Sequence, residues 1–326
     1  MTTLDASVGP AGVLTVTLNP ALDISVSVDQ LVPDRKLRAP ESRREPGGGG
    51  VNVSRVLNRL GVPNVSLVVA GGAIGIELVT RMRDEGLDVV DVRIESDTRE
   101  SFAITETTTD RQYRISLPGP TIDDVEGLRH QILAAVGVAR IVVLSGSVPP
   151  GTPDDFLGTT IDALPAGTTT IVDTSGPALA WVARHSRAII KPSQRELAEL
   201  VGWEPSTADE IEAAAREVID LGRVSAVVAS RGPSGALLTT RDATVRWFRP
   251  PAVRPVSTVG AGDSMIAGMA AALAGGLHLD DAVRLGVAAG TAAVLTPGSE
   301  LCESADVERF FDQVVVTRAG QVLGGA

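Results

Sequence analysis

One short stretch of the chain joins a carboxylate to an exposed turn of backbone amides. Residues 257–264 read Ser-Thr-Val-Gly-Ala-Gly-Asp-Ser, and the small and apolar residues that follow predict a helix over 262–274. The two glycines leave the backbone N–H groups of residues 261–263 accessible at the positive end of that helix, where they can bind an anion. Asp263 could take a proton from a hydroxyl at the same spot. An N-capping role is the alternative, but an anion hole and a base together favour a reaction site.

A run of four glycines, Gly47 to Gly50, stands before a second predicted helix over 51–60. Glycine lets backbone N–H groups come into contact with a ligand, and the start of the helix adds its positive dipole. The run is not a Walker A loop, because no Gly-Lys pair exists in the chain, and it is not a G-x-G-x-x-G dinucleotide fingerprint. A flexible turn is the alternative. A helix seldom needs four glycines before it, so we favour a ligand site.

Polar residues follow most of the other predicted strands. Asp23 comes just after the first strand, although taken alone it fits a turn aspartate better. Four later strand ends carry Ser, Asp, Lys and Gly, in the segments 145–151, 173–176, 191–196 and 230–235. Ligands of doubly wound sheets bind beyond the carboxyl ends of the strands. Each segment alone could be a plain connection, but together they predict one site at that edge.

The basic residues are almost all arginine. Of the 29 Lys and Arg residues, only Lys36 and Lys191 are lysine. In such a chain a remaining lysine can mark a place that needs a compact ammonium rather than a planar guanidinium. Chance survival is the alternative for either lysine alone.

Short apolar strands alternate with amphipathic helices along most of the chain. The central strands are predicted at 13–18, 65–70, 140–144, 169–172, 188–190 and 226–229. Helices lie between them, and the chain is predicted to end with helices over 262–274, 279–294 and 304–316. This alternation predicts an α/β fold with a doubly wound, mostly parallel sheet and helices on both faces.

Two excursions from the first half of the chain are too polar for the centre of that sheet. The strands predicted at 24–28 and 36–44, and the hairpin of 99–107 and 113–117, have half-exposed patterns. We expect them to form a small second sheet that acts as a lid. The predicted organisation is one domain over 12–317, lid insertions at about 22–46 and 98–118, and flexible tails at 1–11 and 318–326.

Composition excludes several classes of protein. A net charge of −11 argues against a protein that binds nucleic acid or an anionic membrane. Cys302 is the only cysteine, so an intrachain disulfide and a cysteine-based zinc site are excluded. The chain has no run of 18 apolar residues and no basic-then-apolar leader, and we expect a soluble cytoplasmic protein.

With its motifs in this order, the chain resembles the PfkB family of ribokinase-like sugar kinases from about residue 13 to residue 317. Gly-Ala-Gly-Asp at 260–263 looks like the C-terminal signature of the family, and the glycine run with Asn52 looks like the N-terminal signature. The resemblance implies the ribokinase-like form of the α/β fold, with a β-sheet lid.

Smaller motifs are similar to one branch of the family. Asn-Pro-Ala-Leu-Asp at 19–23 and Lys-Leu-Arg at 36–38 resemble the kinases that act on phosphorylated sugars. The all-glycine run, Gln-Tyr-Arg at 112–114 and Leu-Cys at 301–302 resemble the minor, type B 6-phosphofructokinases. The resemblance therefore implies transfer of the γ-phosphoryl group of MgATP to the 1-hydroxyl of fructose 6-phosphate.

The resemblance also implies a role for individual residues. Asp263 is the base, and Gly260, Ala261 and Gly262 hold the transferring phosphoryl group. The sugar side consists of residues that hold hydroxyls or the sugar phosphate, namely Asp23, Lys36, Gly48, Gly49, Asn52, Arg99 and Ser147. The ATP side consists of Lys191, Ser193, Ser230, Gly232 and Thr258, together with Gly260 and Gly262, which also hold the transferring group.

Glu196 is implied to order Mg²⁺ through water, with help from Asp173, and a monovalent cation such as K⁺ is a further implied cofactor. The family commonly has Asn-x-x-Glu where this chain has Ser193-x-x-Glu196, which puts the magnesium–water network in doubt at that corner. Related members pair through their lids, and a small isolated sheet would otherwise leave one apolar face bare, so a homodimer is expected.

Other functions stay open at this stage. Within the fold they are 1-phosphofructokinase and tagatose-6-phosphate kinase, although Gly49 stands where the 1-phosphate enzymes usually carry lysine. Arg99 and the 19–23 motif speak against a nucleoside kinase. A non-catalytic sensor of sugar phosphate or nucleotide is the alternative from another class, and the intact Asp263 speaks against it.

Overall fold

The described residues follow the alternation of strands and helices that the sequence predicts. The structure is a computed structural model and describes residues 12–297 and 300–318, so the predicted tails lie outside the described residues apart from Arg318. The strands are β1 (Val13–Thr17), β2 (Ala21–Val28), β3 (Ser42–Gly47), β4 (Asn64–Gly71), β5 (Asp88–Ile94), β6 (Arg99–Glu106), β7 (Arg111–Ser116), β8 (Ile141–Ser145), β9 (Thr169–Asp173), β10 (Ile189–Ile190), β11 (Ala226–Ser230), β12 (Ala236–Thr240), β13 (Val245–Arg249) and β14 (Val315–Arg318).

The helices alternate with these strands over most of the chain. They are α1 (Gly49–Arg59), α2 (Gly72–Asp84), α3 (Val125–Val136), α4 (Phe156–Asp162), α5 (Gly176–His185), α6 (Gln194–Val201), α7 (Ala208–Leu221), α8 (Ala261–Ala274), α9 (Leu279–Ala293) and α10 (Ser304–Phe311). No helix within the described ranges is both long and apolar enough to cross a membrane.

Ten strands form the main sheet, in the order β14-β13-β12-β11-β10-β9-β8-β1-β4-β5. The strands from β5 to β11 in this order pair in parallel, whereas β12, β13 and β14 continue the sheet antiparallel at one edge. Successive side chains of a strand point to opposite faces, so Val13 and Leu14 of β1 belong to two separate apolar cores. The predicted doubly wound sheet with helices on both faces is confirmed.

A second sheet of four strands stands apart from the main one, in the order β3-β2-β6-β7. The predicted small β-sheet is therefore also confirmed. Its register places Asp23 of β2 beside Ser101 of β6 and Glu45 of β3, so the three share one face. Arg44 of β3 fixes the other face to α2, because its guanidinium makes two hydrogen bonds, of 2.9 and 3.0 Å, to the Glu77 carboxylate.

Two predicted elements are wrong in extent, and one strand was missed. The strand predicted at 36–44 is β3 at Ser42–Gly47, because Pro40 has no N–H to give to a sheet and residues 29–41 are loop. The final helix ends at Phe311 rather than 316, and the β-branched run after it forms β14. Strand β5 was not predicted, although its alternating Asp-Val-Val-Asp-Val-Arg-Ile sequence has the period of an edge strand.

Helices α8 and α9 cross so closely that their contact needs glycine. A Cβ atom on Gly268 of α8 would lie 2.7 Å from the carbonyl oxygen of Leu285 and 2.9 Å from the Cα of Gly286, both in α9. A Cβ on Gly286 would lie 2.7 Å from the carbonyl oxygen of Met265. Backbone atoms cannot yield to such a clash as a flexible side chain can. The contact therefore fixes the position of α8, the helix that begins at the predicted anion hole.

We expect Gly268→Ala to destabilise the protein by about 1–3 kcal/mol, the usual effect of overpacking. Gly275→Ala is the matched control, because a Cβ there would lie 3.4 Å or more from its neighbours and the φ of −73° suits alanine. The control should be unchanged or about 0.4–1 kcal/mol more stable. Urea unfolding measures both, and equal stabilities would contradict this account of the helix contact.

Candidate active site

The predicted site residues gather along the edge of the main sheet at which the parallel strands end. Several buried polar atoms there have no hydrogen-bond partner among the described residues: Thr17 Oγ1, Asn19 Oδ1, Asn52 Oδ1, Ser145 Oγ and Thr174 Oγ1. Buried polar atoms are costly unless they are paired. A polar ligand at this edge would supply their partners. The sequence analysis missed Thr17 and Thr174 as site residues, although a polar side chain at the end of an apolar strand was the available signal.

The two glycine-containing motifs meet at this edge. Gly260, the N-cap of α8, has a φ of 72°, and Asp263 follows in the first turn of the helix. The Asn52 side-chain amide, in the first turn of α1, donates a 2.8 Å hydrogen bond to Oδ2 of Asp263. Both helices therefore present their positive ends to the same space.

The glycines before α1 have a packing role of their own. Gly48 has a φ of 116°, a conformation that residues with a side chain rarely adopt. A Cβ on Gly49 would lie 2.8 Å from the backbone nitrogen of Gly146, just beyond β8. Close approach of α1 to the sheet thus requires glycine even without a ligand, which the sequence analysis did not foresee.

Burial raises the pKa of Asp263 to about 6. The hydrogen bond from Asn52 lowers the pKa and so opposes this rise, Asp173 raises it, Lys191 lowers it, and Asp23 raises it. An aspartate in water titrates near 3.9. A carboxylate with a pKa near 6 is still ionised at neutral pH but binds a proton more readily than an exposed one does.

Lys191 is buried, with 5% of its surface exposed, and Nζ lies 3.1 Å from Oδ1 of Asp173. Nζ also lies 3.6 Å from where a Cβ on Gly262 would stand, so the ammonium faces the first turn of α8. Burial acts to lower the pKa of Lys191, but Asp173, Asp263 and Glu196 together raise it, so the lysine stays charged. Burial raises the pKa of Asp173 in turn.

The departure at Ser193 has a structural explanation. Ser193 is the N-cap of α6, and its hydroxyl accepts a hydrogen bond from the backbone N–H of Glu196. Oε2 of Glu196 accepts 2.8 Å hydrogen bonds from both the backbone N–H and the hydroxyl of Ser193. This capping box satisfies N–H groups at the start of the helix. Serine therefore fixes the Glu196 carboxylate by itself.

On the lid side, Arg99 is half-buried between the two sheets. Its Nε and Nη2 donate to the backbone oxygen of Asn19, at 3.3 and 3.2 Å, and Nη1 donates to the Ser116 hydroxyl. Burial lowers the pKa of Arg99, and Asp23 raises it.

Asp23 lies beside two cations on this side of the cleft. Burial raises its pKa, whereas a hydrogen bond from Ser101 and the charges of Arg114 and Arg99 lower it. Arg114 is thus a second cation beside Asp23, on β7; the sequence analysis quoted it within the 112–114 motif but gave it no role in the site. The two arginines and Asp23 give the lid side of the cleft a cluster of charges.

The remaining predicted residues are less involved in contacts. Ser147 accepts a 3.0 Å hydrogen bond from Asn19, and Ser230 pairs with Ser193 in a short parallel bridge. Gly232 and Thr258 are exposed at the cleft rim. Lys36 is exposed on the 29–41 loop, not on a strand, and makes no hydrogen bond or ion pair with another described residue.

The charges define which ligands fit. One ammonium at the start of α8, that of Lys191, pairs with the Asp173 carboxylate at 3.1 Å, and the charges of Asp263 and Glu196 stabilise it further. No three His, Cys, Asp or Glu side chains of the described residues are grouped to hold a metal ion directly. The arrangement suits an anion bound to the amides of α8 and Lys191, with a cation held through water. A hydroxyl at Asp263 could then lose its proton to the carboxylate.

A carbohydrate kinase fits this fold and this site, and the comparisons agree. The model of the pfkB family carbohydrate kinases matches residues 17–306. The chain is 43% identical to ATP-dependent 6-phosphofructokinase isozyme 2 of Mycobacterium tuberculosis, over 93% of this chain and 90% of that protein. It is 39% identical to the isozyme 2 of Escherichia coli, over 92% and 97%.

Solved structures give the same result. Phosphofructokinase-2 from Escherichia coli in complex with fructose-6-phosphate superposes with a TM-score of 0.84 at 36% identity, covering 93% of this chain and 98% of that one. The complex of that enzyme with potassium superposes with a TM-score of 0.87 at 37% identity and the same coverage. The chain belongs to the PfkB family of carbohydrate kinases and is an enzyme.

The burial of Asp263 predicts the pH at which its carboxyl group titrates. We expect its carboxyl to titrate near pH 6 in the free protein, measured by carbon-13 NMR with labelled aspartate and assigned with Asp263→Asn. Asn52→Ala should raise this pKa further, because the amide of Asn52 stabilises the charged form. Asn58→Ala, at the exposed end of the same helix, should leave it unchanged. Titration near pH 4, or no effect of Asn52→Ala, would show that burial and this bond do not control the carboxyl.

Proposed function

We propose that this protein is an ATP-dependent 6-phosphofructokinase. It transfers the γ-phosphoryl group of ATP to the 1-hydroxyl of fructose 6-phosphate, and the products are fructose 1,6-bisphosphate and ADP. The observation that carries the proposal is the position of Asp263. Its carboxyl has a pKa of about 6 at the amide-rich start of α8, beside buried Lys191. The identity to two 6-phosphofructokinases over more than nine-tenths of the chain supports the substrate.

The sugar phosphate lies between Asp263 and the lid in this proposal. Asn52, Gly48, Gly49, Ser147 and Asp23 hold the sugar hydroxyls. Pairing of sugar hydroxyls with Thr17 and Ser145 would satisfy two of the unpaired buried oxygens at the sheet edge.

Two lid cations hold the sugar's own phosphate in this proposal. Arg99 and Arg114 both lie near Asp23, and guanidinium groups make paired hydrogen bonds to phosphate. Lys36, on the loop between β2 and β3, adds a third cation when the lid closes.

The nucleotide lies along the ends of β10 and β11. Lys191 contacts its phosphates, Ser193, Ser230, Gly232 and Thr258 line its binding site, and Gly260 and Gly262 hold the transferring group. Glu196 and Asp173 would hold Mg²⁺ through water, which fits the excess of carboxylates there. Mg²⁺ would neutralise charge on the phosphates. A monovalent cation is the further cofactor we propose, supported by the potassium complex of the Escherichia coli enzyme.

The reaction follows from these positions. The lid closes over the sugar phosphate and excludes water, which would otherwise accept the phosphoryl group. The 1-hydroxyl oxygen of the sugar attacks the γ-phosphorus of ATP in line, and Asp263 accepts the hydroxyl proton as this O–P bond forms. The bond from the γ-phosphorus to the bridging oxygen breaks, and ADP leaves with the electron pair. The N–H groups at the start of α8 and the Lys191 ammonium stabilise the charge on the transferring group. We place the enzyme in the cytoplasm, where ATP and sugar phosphates are available.

We also propose a homodimer that pairs through the lid. Apolar side chains cover the β6–β7 part of the lid face opposite Asp23, and on β7 and just after it Tyr113, Ile115 and Leu117 are 40%, 51% and 42% exposed. Phe102 and Ile104 of β6 lie on this face in register with Ile115 and Tyr113. An exposed apolar patch of this kind usually marks an interface.

Lys191→Arg should be costly although the charge is kept. Nζ is buried between Asp173 and the first turn of α8, where a guanidinium has no room. We expect kcat/KM for ATP to fall roughly 10- to 100-fold, the loss of one charge-assisted hydrogen bond. Arg195→Lys, at an exposed position on α6, is the control and should change nothing. Wild-type kinetics for Lys191→Arg would contradict the role of the compact ammonium.

The substrate is tested with three sugar phosphates side by side. We expect kcat/KM to favour fructose 6-phosphate over fructose 1-phosphate and tagatose 6-phosphate. Arg99→Ala should raise KM for fructose 6-phosphate roughly 10- to 100-fold, because charge-assisted hydrogen bonds to the phosphate are lost. The poor activity on unphosphorylated fructose should not change, which is the internal control. A preference for either other sugar phosphate would overturn the substrate but not the kinase.

The dimer is tested at the centre of the apolar lid face. Ile115→Asp should convert the protein to monomer at micromolar concentration, because a charge cannot be buried unpaired in an interface. Val138→Asp is the matched control, since Val138 is 55% exposed but lies on the loop between α3 and β8. Sedimentation measures both. A monomeric wild type with full activity would contradict the proposal.

A further inference from the structure

One buried residue near the site has an unfavourable backbone conformation. Leu301 has a φ of 60° and is fully buried. The other described non-glycine residues with positive φ, Asp34, Asp110 and Ala243, are exposed loop and turn residues. Leucine avoids this region, and a residue persists there only where its surroundings hold it.

Leu301 closes the back of the anion-binding turn. A Cβ atom on Gly260 would lie 2.5 Å from Cδ2 of Leu301, so the leucine side chain covers the backbone of the α8 N-cap directly. The next residue, Cys302, is buried beside Ser264 in the first turn of the same helix. The Leu301–Cys302 pair therefore forms the wall on which the start of α8 rests.

Hydrogen bonds hold three successive carbonyls around Leu301: its own oxygen accepts a 2.7 Å bond from the Thr296 hydroxyl, and one guanidinium binds the carbonyls on either side. Arg59 is the last residue of α1, and its Nη1 donates to the backbone oxygen of Glu300 and, at 3.3 Å, to that of Cys302. The same nitrogen lies 3.4 Å from Oε1 of Glu303. Two carbonyls fixed on either side of one residue restrict its φ and ψ directly.

Helix α1 thus acts on the start of α8 at both of its own ends. Near its N-terminus Asn52 contacts Asp263, and at its C-terminus Arg59 fixes the segment that supports Gly260. Glu300 connects Arg59 to the lid. Its backbone oxygen accepts from Arg59, and its side-chain carboxylate accepts a 3.0 Å hydrogen bond from Arg43 of β3.

We propose that Arg59 is a positioning residue for phosphoryl transfer. It keeps Leu301 in the left-handed conformation, and Leu301 keeps the Gly260 turn in place against the transferring group. Neither residue touches substrate. This inference rests on the proposed role of the α8 turn in holding the phosphoryl group. Arg59 therefore affects turnover rather than the affinity for either substrate.

The first test is Arg59→Met, which keeps the apolar stem and removes the donors. We expect kcat to fall roughly 10- to 100-fold, as for a small misplacement of reacting groups, with both KM values unchanged within about twofold. Arg59→Lys, which can still reach one carbonyl, should have a kcat between those of the wild type and Arg59→Met. It serves alone as the test if Arg59→Met does not fold. Arg83→Met, in the last turn of α2 and exposed, is the matched control and should keep wild-type kcat.

The second test asks whether Arg59 acts through Leu301. Leu301→Gly accepts the left-handed backbone without strain but removes the wall behind Gly260, so it should also lower kcat. The double variant should lose no more kcat than Leu301→Gly alone, because the leucine side chain through which Arg59 acts on Gly260 is already absent.

The outcomes separate this inference from the proposed function. An active wild type with unchanged kcat in Arg59→Met, or a rise in KM alone, overturns the role of Arg59. Independent losses that multiply in the double variant overturn the route through Leu301. A wild type without phosphotransferase activity overturns the proposed function itself.

Discussion

The hydrogen bond between Asn52 and Asp263 is the contact on which the rest of the site depends. It joins two helix N-termini that are 211 residues apart in the sequence. For the bond to form, α1 must come close to the end of β8, which requires glycine at position 49, and α8 must come close to α9, which requires glycine at position 268. The doubly wound sheet supplies the edge on which both helices start. Much of the glycine content near the site therefore serves to bring helices together, besides exposing amides to a ligand.

Charge placement explains how an acidic protein can bind two anionic substrates. The net charge is −11, but the cations of the cleft lie where contact distances, not the overall field, decide. Lys191 stays charged because it pairs with Asp173 and the charges of Asp263 and Glu196 also raise its pKa, and Asp263 has a raised pKa because it is buried. On the other side of the cleft, Arg99 and Arg114 lie beside Asp23. In the proposed function the phosphates of nucleotide and sugar thus have separate cations, and Asp263, the proposed proton acceptor, lies between these cations.

The sequence predicts the sheet, the lid and the two glycine motifs, because each depends on local pattern. The sequence analysis missed strand β5 and predicted α10 to continue over β14. Both are edge strands, whose weak signal a nearby helix pattern can mask. Most individual contacts were not predictable. The reciprocal cap of Ser193 and Glu196 does have a local signature, Ser-x-x-Glu before an apolar helix, which the sequence analysis did not use. Nothing in the sequence indicates that Arg114 lies near Asp23 or that Leu301 adopts a left-handed conformation. These two features depend on distances between segments far apart in the chain, which no local pattern encodes.

The central claim is that Asp263 is the proton acceptor at the start of α8. The most direct measurement is kcat of Asp263→Asn with fructose 6-phosphate and ATP, together with the dissociation constants of both substrates. The substitution keeps the size of the side chain and a bond to Asn52 but removes the base. We expect kcat to fall roughly 10²- to 10⁴-fold with little change in either dissociation constant. Turnover near the wild-type rate would contradict the assignment and would place the base elsewhere in the cleft.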